Sequence, residues 1–209
     1  MQKKDFIEVE FTGKVADGDV FDSNIKGVIE KINPNVEAKP FVFCLGESMF
    51  LKGVEDFLIG KEPGKYTIEL EPANAFGLRD SRLIQMMPMK AFKQHNVNPY
   101  PGAVLNFDGK MGKVLTSAGG RVTVDFNHPI AGKKVIYDIN VLRKVEDLNE
   151  KISAFNDFLF RQEVPFRVDA KKLIFEVEEG LSKFIEMFKE KYKEIFDLDV
   201  EFKKLEKKD

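Results

Sequence analysis

Gly53-Val54-Glu55-Asp56-Phe57-Leu58-Ile59-Gly60 decides how this chain of 209 residues is read. Val54, Phe57, Leu58 and Ile59 recur at i, i+3, i+4 and i+5, the pattern of a short helix packed on one face. Gly60 stands where a helix ends in a left-handed residue. On both sides of this stretch the period changes to two. Upstream, Phe41, Phe43 and Leu45 alternate until Gly46 breaks the run. Downstream, Pro63-Gly64 makes a turn, and Tyr66, Ile68 and Leu70 alternate. Further out, Ile7, Val9 and Phe11 alternate with Glu8, Glu10 and Thr12, and Val135 to Leu142 alternates again. One short helix among half-buried strands predicts an α+β fold with an antiparallel sheet.

The connections are legible in part. Ala16-Asp17-Gly18-Asp19 reads as a hairpin turn of type I′, which places positive φ at Asp17 and Gly18. Val20 to Ser23 begins the return strand. Ile25 to Lys39, with Asn33-Pro34-Asn35, reads as a long surface excursion, and Pro72 to Gly77 as a loop. Residues 84–126 differ in character and hold Met86, Met87, Met89 and Met111, four of the seven methionines. Pro88 to Lys93 makes one helical turn there. Val104–Phe107, Lys113–Leu115 and Arg121–Phe126 read as short strands joined at Asp108-Gly109 and Gly119-Gly120, a small β unit with its own hairpins.

Beyond residue 146 the period is helical at Leu148, Ile152, Phe155 and Leu159. Leu173, Phe175 and Val177 form a strand. Leu181, Phe184, Ile185, Phe188, Tyr192, Ile195 and Phe196 form one amphipathic helix. Leu198, Val200 and Phe202 form a last strand, and the charged residues Lys203 to Asp209 are expected to fray.

Composition narrows the function. Lys and Arg total 33 against 35 Asp and Glu, a net charge of −2 with no footprint for nucleic acid or an anionic membrane. No apolar run approaches a membrane span, and the first eight residues alternate charge with apolar side chains instead of forming a signal-peptide core. Cys44 is the one cysteine, which excludes an internal disulfide and a multi-cysteine metal site. The plain expectation is a cytoplasmic protein. The chain has 20 Phe, 4 Tyr and no Trp. Most of these rings must be core, and some are free to line an apolar site.

Four segments in order resemble the FKBP family of prolyl isomerases. They are Phe11-Thr12-Gly13-Lys14 with Asp17-Gly18 and Phe21-Asp22-Ser23; Pro40-Phe41-Val42-Phe43 with Leu45-Gly46 and Gly53-Val54-Glu55; Ala73-Asn74-Ala75-Phe76-Gly77; and Val135 to Leu142. Val124-Asp125-Phe126-Asn127-His128-Pro129-Ile130-Ala131-Gly132 is similar to the SlyD-like branch. The resemblance covers about residues 4–146. It implies an antiparallel sheet wrapped on the short helix, with residues 1–83 and 127–146 as the isomerase domain. It further implies an insert-in-flap β lobe at 84–126 that binds unfolded chains. By position and length, 147–209 resembles the extra C-terminal α+β domain of long-chain archaeal members.

The barrier to amide rotation, roughly 18–20 kcal/mol, comes from resonance. No bond to carbon is made or broken, so catalysis needs no cofactor, metal or nucleophile, only tighter binding of the twisted amide than of the planar one. The twisted amide is less charge-separated, and aromatic walls suit both it and the proline ring. Carried over by residue, the resemblance implies a pocket of Phe11, Phe21, Asp22, Phe41, Phe50, Leu51, Val54, Phe76 and Tyr137. In it the Leu51 backbone N–H binds the substrate carbonyl, and Asp22 either hydrogen-bonds within the pocket or polarises the rotating amide. Phe43 reads as core. Family members usually have an aromatic residue where Val54 stands and tyrosine at Phe11 and Phe76.

For the insert, Met86, Met87, Met89, Phe92 and Met111, with Phe107 and Leu105, are read as the capture surface for unfolded, proline-containing chains, since methionine surfaces adapt to varied partners. The bland reading is that they fill the lobe's own core. The Phe-rich helix of the tail needs a partner, either its own strands or a second chain in a homodimer. The tail holds no His or Cys, so a metallochaperone is disfavoured, and His128 reads as a hinge contact. The competing reading of the whole is a catalytically weak holdase or adaptor on the same scaffold.

Overall fold

The computed structural model describes residues 1–204. The strands are β1 (Phe6–Val15), β2 (Val20–Ser23), β3 (Phe41–Cys44), β4 (Gly64–Leu70), β5 (Ile84–Pro88), β6 (Val104–Phe107), β7 (Lys110–Ala118), β8 (Arg121–Asp125), β9 (Val135–Val145), β10 (Phe166–Asp169), β11 (Lys172–Val177) and β12 (Asp199–Lys204). The α-helices are α1 (Lys26–Ile32), α2 (Lys52–Leu58), α3 (Met89–Gln94), α4 (Leu148–Phe160), α5 (Glu179–Glu186) and α6 (Lys189–Phe196). The architecture is mixed α+β. Packing divides the chain into two compact units, one of residues 1–13, 20–68 and 137–209, the other of 14–19 and 69–136.

The main sheet has the order β2-β1-β9-β4, with β3 also paired to β1. β3 runs antiparallel to the start of β1, Phe6 opposite Cys44 and Val9 opposite Phe41. The period-two residues face inward: Ile7, Val9 and Phe11 on β1, and Tyr137, Ile139 and Val141 on β9, are all buried. α2 buries Val54, Glu55 and Leu58. Ile59 lies just past its last turn, and Gly60 takes φ +84° as the sequence requires.

In the same unit α4 packs on β3. Asp147 caps α4 by accepting a hydrogen bond from Glu150 N–H at 2.8 Å. A second sheet runs β10-β11-β12. β11 and β12 are parallel, so the chain between them must cross over, and α5 and α6 make the crossing. The apolar stripe of 181–196 is therefore two helices and not one. At Phe188 the backbone turns to φ −105°, ψ 6°. The break lets Phe184 and Phe188 pack against Phe160 while Tyr192 packs against Phe155 and Phe175. Fraying does not begin at Lys203, which is in β12; residues 205–209 lie outside the described residues.

The second unit contains a four-stranded antiparallel sheet of order β5-β8-β7-β6. Phe92, Ala103, Val114, Val122 and Val124 form its core, with Met87, Met89, Leu105, Phe107 and Phe126 packed around them. Asp108 and Gly109, at φ 51° and 87°, form the tight turn that Asp-Gly favours. β5 has no alternating apolar pattern, being an edge strand ending at Pro88, and its sequence did not announce it.

Two further expectations are corrected. The Asp17-Gly18 turn has no positive φ; it closes through Gly18 N–H to Val15 C=O and Val15 N–H to Asp19 C=O, a loop one residue longer than type I′ allows. The excursion from Ile25 contains α1, because Val28, Ile29 and Ile32 fall at helical spacing and Ile29 is buried. Among the described residues no helix is long and apolar enough to cross a membrane.

Candidate functional site: an aromatic basin at the head of α2

Phe11 stands at the centre of a cluster of rings in the first unit. Its centroid lies 5.0 Å from Phe50, 6.0 Å from Tyr137 and 6.4 Å from Phe41. Phe50 meets Tyr137 edge-on at 5.4 Å and Phe41 at 5.7 Å. Phe21 meets Tyr137 edge-on at 5.9 Å. Phe11, Tyr137 and Val54 are buried, whereas Phe21, Phe41, Phe50, Leu51 and Asp22 are half-buried. Half-buried rings beside buried ones make up this aromatic basin. Phe43 is fully buried, stacks on Phe41 at 5.3 Å and backs Phe50 at 5.5 Å, so it is core as read.

Polar side chains hold Phe11 in place. Asn24 Oδ1 accepts from Phe11 N–H at 2.7 Å, and Asn24 Nδ2 donates to Val9 C=O at 2.8 Å. Ser23 Oγ donates to Phe11 C=O at 2.8 Å. Both backbone groups of Phe11 are thus held by residues immediately after Asp22. Neither Ser23 nor Asn24 was singled out from sequence; the signal available was the Ser-Asn pair, since short polar side chains compete for backbone groups at strand ends. Gly13 lets the rings close in. A Cβ there would stand 2.9 Å from Tyr137 Cε1 and 3.1 Å from Phe21 Cζ.

Burial raises the Asp22 carboxyl above the usual aspartate range, and the Ser23 N–H offsets only part of that. Burial, then the nearby Asp22 charge, hold the Tyr137 hydroxyl well above its ordinary value, so it remains a neutral O–H. Burial and the charges of Glu47 and Glu55 push the Cys44 thiol up to about 12, which leaves it no thiolate at neutral pH. The ring cluster therefore combines apolar rings with the Asp22 carboxyl near the buried Tyr137 hydroxyl. Among the described residues no group of three or more His, Cys, Asp or Glu is placed to hold a metal ion.

Leu51 is the N-cap of α2. Its carbonyl accepts from Val54 N–H at 2.9 Å and Glu55 N–H at 3.1 Å, while the helix makes no use of its N–H.

Phe76 belongs to the second unit, where it stacks on His128 with ring centroids 4.7 Å apart. Its loop is set by a 3-10 turn at Pro72–Asn74 and by Gly77, at φ +79°, whose N–H reaches Pro72 C=O. Of the methionine set, Met86 and Met111 are exposed, at 63% and 57%. Both stand on the sheet face turned away from the lobe core, opposite Thr123 and Asn106. Met87 and Met89 pack against that core, and Phe92 lies inside it, so Phe92 does not stand on a surface. It is the helical turn's anchor, the role that an apolar residue on a six-residue helix takes when a small lobe has little else to bury.

Residues 85–130 match the family model described as the IF domain of FKBP26. The chain is 33% identical over 145 residues to a short-type peptidyl-prolyl cis-trans isomerase of Methanocaldococcus jannaschii, an alignment spanning 68% of this chain and 92% of that protein. It is 34% identical over 148 residues to an FKBP-type 16 kDa peptidyl-prolyl cis-trans isomerase of Escherichia coli, again 68% and 92%. It is 24% identical over 134 residues to the SlyD isomerase of Helicobacter pylori, 62% of this chain and 72% of that one. With these relatives covered over most of their length, the chain belongs to the FKBP-type peptidyl-prolyl cis-trans isomerase family.

Proposed function

We propose that the chain accelerates cis/trans isomerisation of prolyl bonds in proline-containing polypeptides, with the aromatic basin as its site. The observation that carries this is the ring cluster itself: half-buried Phe21, Phe41 and Phe50 packed against buried Phe11 and Tyr137, with Phe50 just before α2. Val54 joins them by its place in the family pattern. The rings grip the proline and exclude water. The Leu51 N–H takes a substrate carbonyl, and the twisted amide, with less charge separation, is favoured where water is shed. Asp22 acts within the basin on the rotating amide. By its place in the family pattern Phe76 is a further candidate for the reaction, tested by Phe76→Ala in a prolyl-exchange assay. No cofactor takes part.

The test is prolyl exchange in a short peptide, followed by NMR with the protein far below stoichiometric amounts. Acceleration that falls about tenfold or more in Phe50→Ala supports the reading. No acceleration, with unfolded proteins still bound, would leave a holdase on the same scaffold.

The lobe of residues 84–126 we assign to capture of unfolded chains, on the exposed Met86, Met111 and Val104, which share the outer face of its sheet. Tethering there raises the local concentration of prolines at the basin. Met86→Lys with Met111→Lys should weaken suppression of aggregation and leave peptide isomerisation unchanged. A homodimer through residues 147–209 would use the exposed Phe184 and Met187. Sedimentation velocity of the full chain against Met187→Glu tests it.

A further inference from the structure

Glu55 is 2% exposed, and its two carboxylate oxygens accept three backbone N–H groups. Oε2 takes Gly46 at 2.8 Å and Ser48 at 3.2 Å; Oε1 takes Phe50 at 2.8 Å. The N–H groups converge because the backbone is left-handed at Gly46, φ +90°, and again at Ser48, φ +57°. Alternation of this kind turns successive N–H groups toward one anion. A left-handed serine is unfavourable by about 1 kcal/mol or more, so this loop does not hold its shape unaided. The segment from Gly46 to Leu51 joins β3 to α2. It delivers Phe50 into the basin and places Leu51 at the head of the helix. On its outer side Glu47, whose side chain is 8% exposed, pairs with Lys191 of α6 at 2.8 Å.

We propose that Glu55 from within, and the Glu47–Lys191 pair from without, are positioning groups for isomerisation: together they fix the Gly46–Leu51 loop so that the Phe50 ring and the Leu51 N–H meet the twisted amide. This rests on the reading of the basin as the isomerase site. Neither Glu47 nor Glu55 touches substrate; both act through the loop. Only a carboxylate serves at Glu55. In Glu55→Gln one oxygen becomes NH2, and either orientation of the amide sets donor against donor, at Phe50 N–H or at Gly46 and Ser48 N–H.

The experiment measures kcat and KM on a prolyl peptide, and amide hydrogen exchange by residue, in the full-length wild type, Glu55→Gln and Glu47→Ala, at a temperature where each is folded by circular dichroism. For Glu55→Gln the expected result is a fall of about tenfold in kcat/KM, the size of one lost charge-assisted hydrogen bond, with most of the loss in kcat. Exchange should quicken at Gly46, Ser48 and Phe50 and stay at the wild-type rate in α4 and β11. For Glu47→Ala the same pattern is expected with a fall of about threefold. Loop amides that quicken while kcat stays within twofold would overturn the proposal, and so would loop amides that keep wild-type rates. If Glu55→Gln does not fold, Glu47→Ala decides the matter by the same two outcomes. An inactive wild type would overturn the isomerase reading itself, and is distinguished because it shows before any variant is compared.

Discussion

Replacing Gly13 with alanine adds one methyl group at the most crowded point of the basin. The new Cβ would lie 2.9 Å and 3.0 Å from Tyr137 Cε1 and Cζ and 3.1 Å from Phe21 Cζ, against the roughly 3.5–4.0 Å of an ordinary carbon contact. Gly13 is not in the left-handed region, so the backbone itself accepts alanine. The cost is all in the rings. Tyr137 is 1% exposed and boxed by Phe11, Phe21 and Phe50, so it has no rearward space to yield. Half-buried Phe21 yields instead. Overpacking of this kind costs about 1–3 kcal/mol. For a chain of this length each kcal/mol shifts the melting midpoint by about 2–4 °C, so the midpoint should fall by several degrees. Prolyl-peptide turnover measured well below the midpoint should show KM raised several-fold with kcat less affected, since Phe21 is a wall for the proline ring. A variant melting within about 1 °C of wild type with unchanged KM would refute the idea that these rings form a rigid basin.

Three other outcomes follow from the same structure. Asp22 has a folded-state pKa above its unfolded value, so the native state holds the extra proton; Asp22 contributes stability at acid pH that is lost as pH rises from about the ordinary 3.8 through its raised value. Asp22→Asn should therefore be at least as stable as wild type at pH 7 while losing about tenfold in kcat/KM, and the wild-type activity should fall on acidification through that window; a flat pH profile would count against the carboxylate. In Gly112→Ala the new Cβ would stand 2.6 Å from Val124 Cγ1 and 2.8 Å from Phe126 Cε1, so limited proteolysis should cut the lobe faster while peptide isomerisation stays within about twofold. Tyr192→Phe removes the donor to Asn156 Oδ1 beside an Asn156 Nδ2 that already lacks a partner among the described residues, and should cost about 1–3 kcal/mol in a denaturant melt without changing turnover.

Period-two alternation located β1, β3, β4 and β9, and the helical stretch at Val54 located α2, because burial on one face leaves a regular trace. β5 left none, being a short edge strand whose residues are mostly exposed or half-buried, and Phe166-Arg167-Val168-Asp169 of β10 alternates over four residues only, too few to stand out. The break between α5 and α6 also escaped, since the apolar spacing there fits a continuous helix and the turn is imposed by Phe155, Phe160 and Phe175 from elsewhere in the chain. At the site, the aromatic walls were legible through family likeness. Their supports were not: Asn24, Ser23 and Glu55 act on backbone groups of residues that sequence alone does not bring near. Phe92 and Phe107 show the opposite case, where an apolar residue in a short insert has the same signature whether it captures a partner or fills the lobe.

Phe6 opens the first strand, and its ring is covered by Phe196 at 5.5 Å; two residues earlier, Lys4 Nζ donates to Glu194 C=O across 190 residues of sequence. A chain is made from its N-terminus, so the Phe6 ring of β1 waits for α6 before it gains this cover. Contacts of such long span close slowly and leave apolar surface open meanwhile. A protein proposed to hasten the folding of others thus leaves one of its own strands partly uncovered until a helix some 190 residues later in sequence has formed.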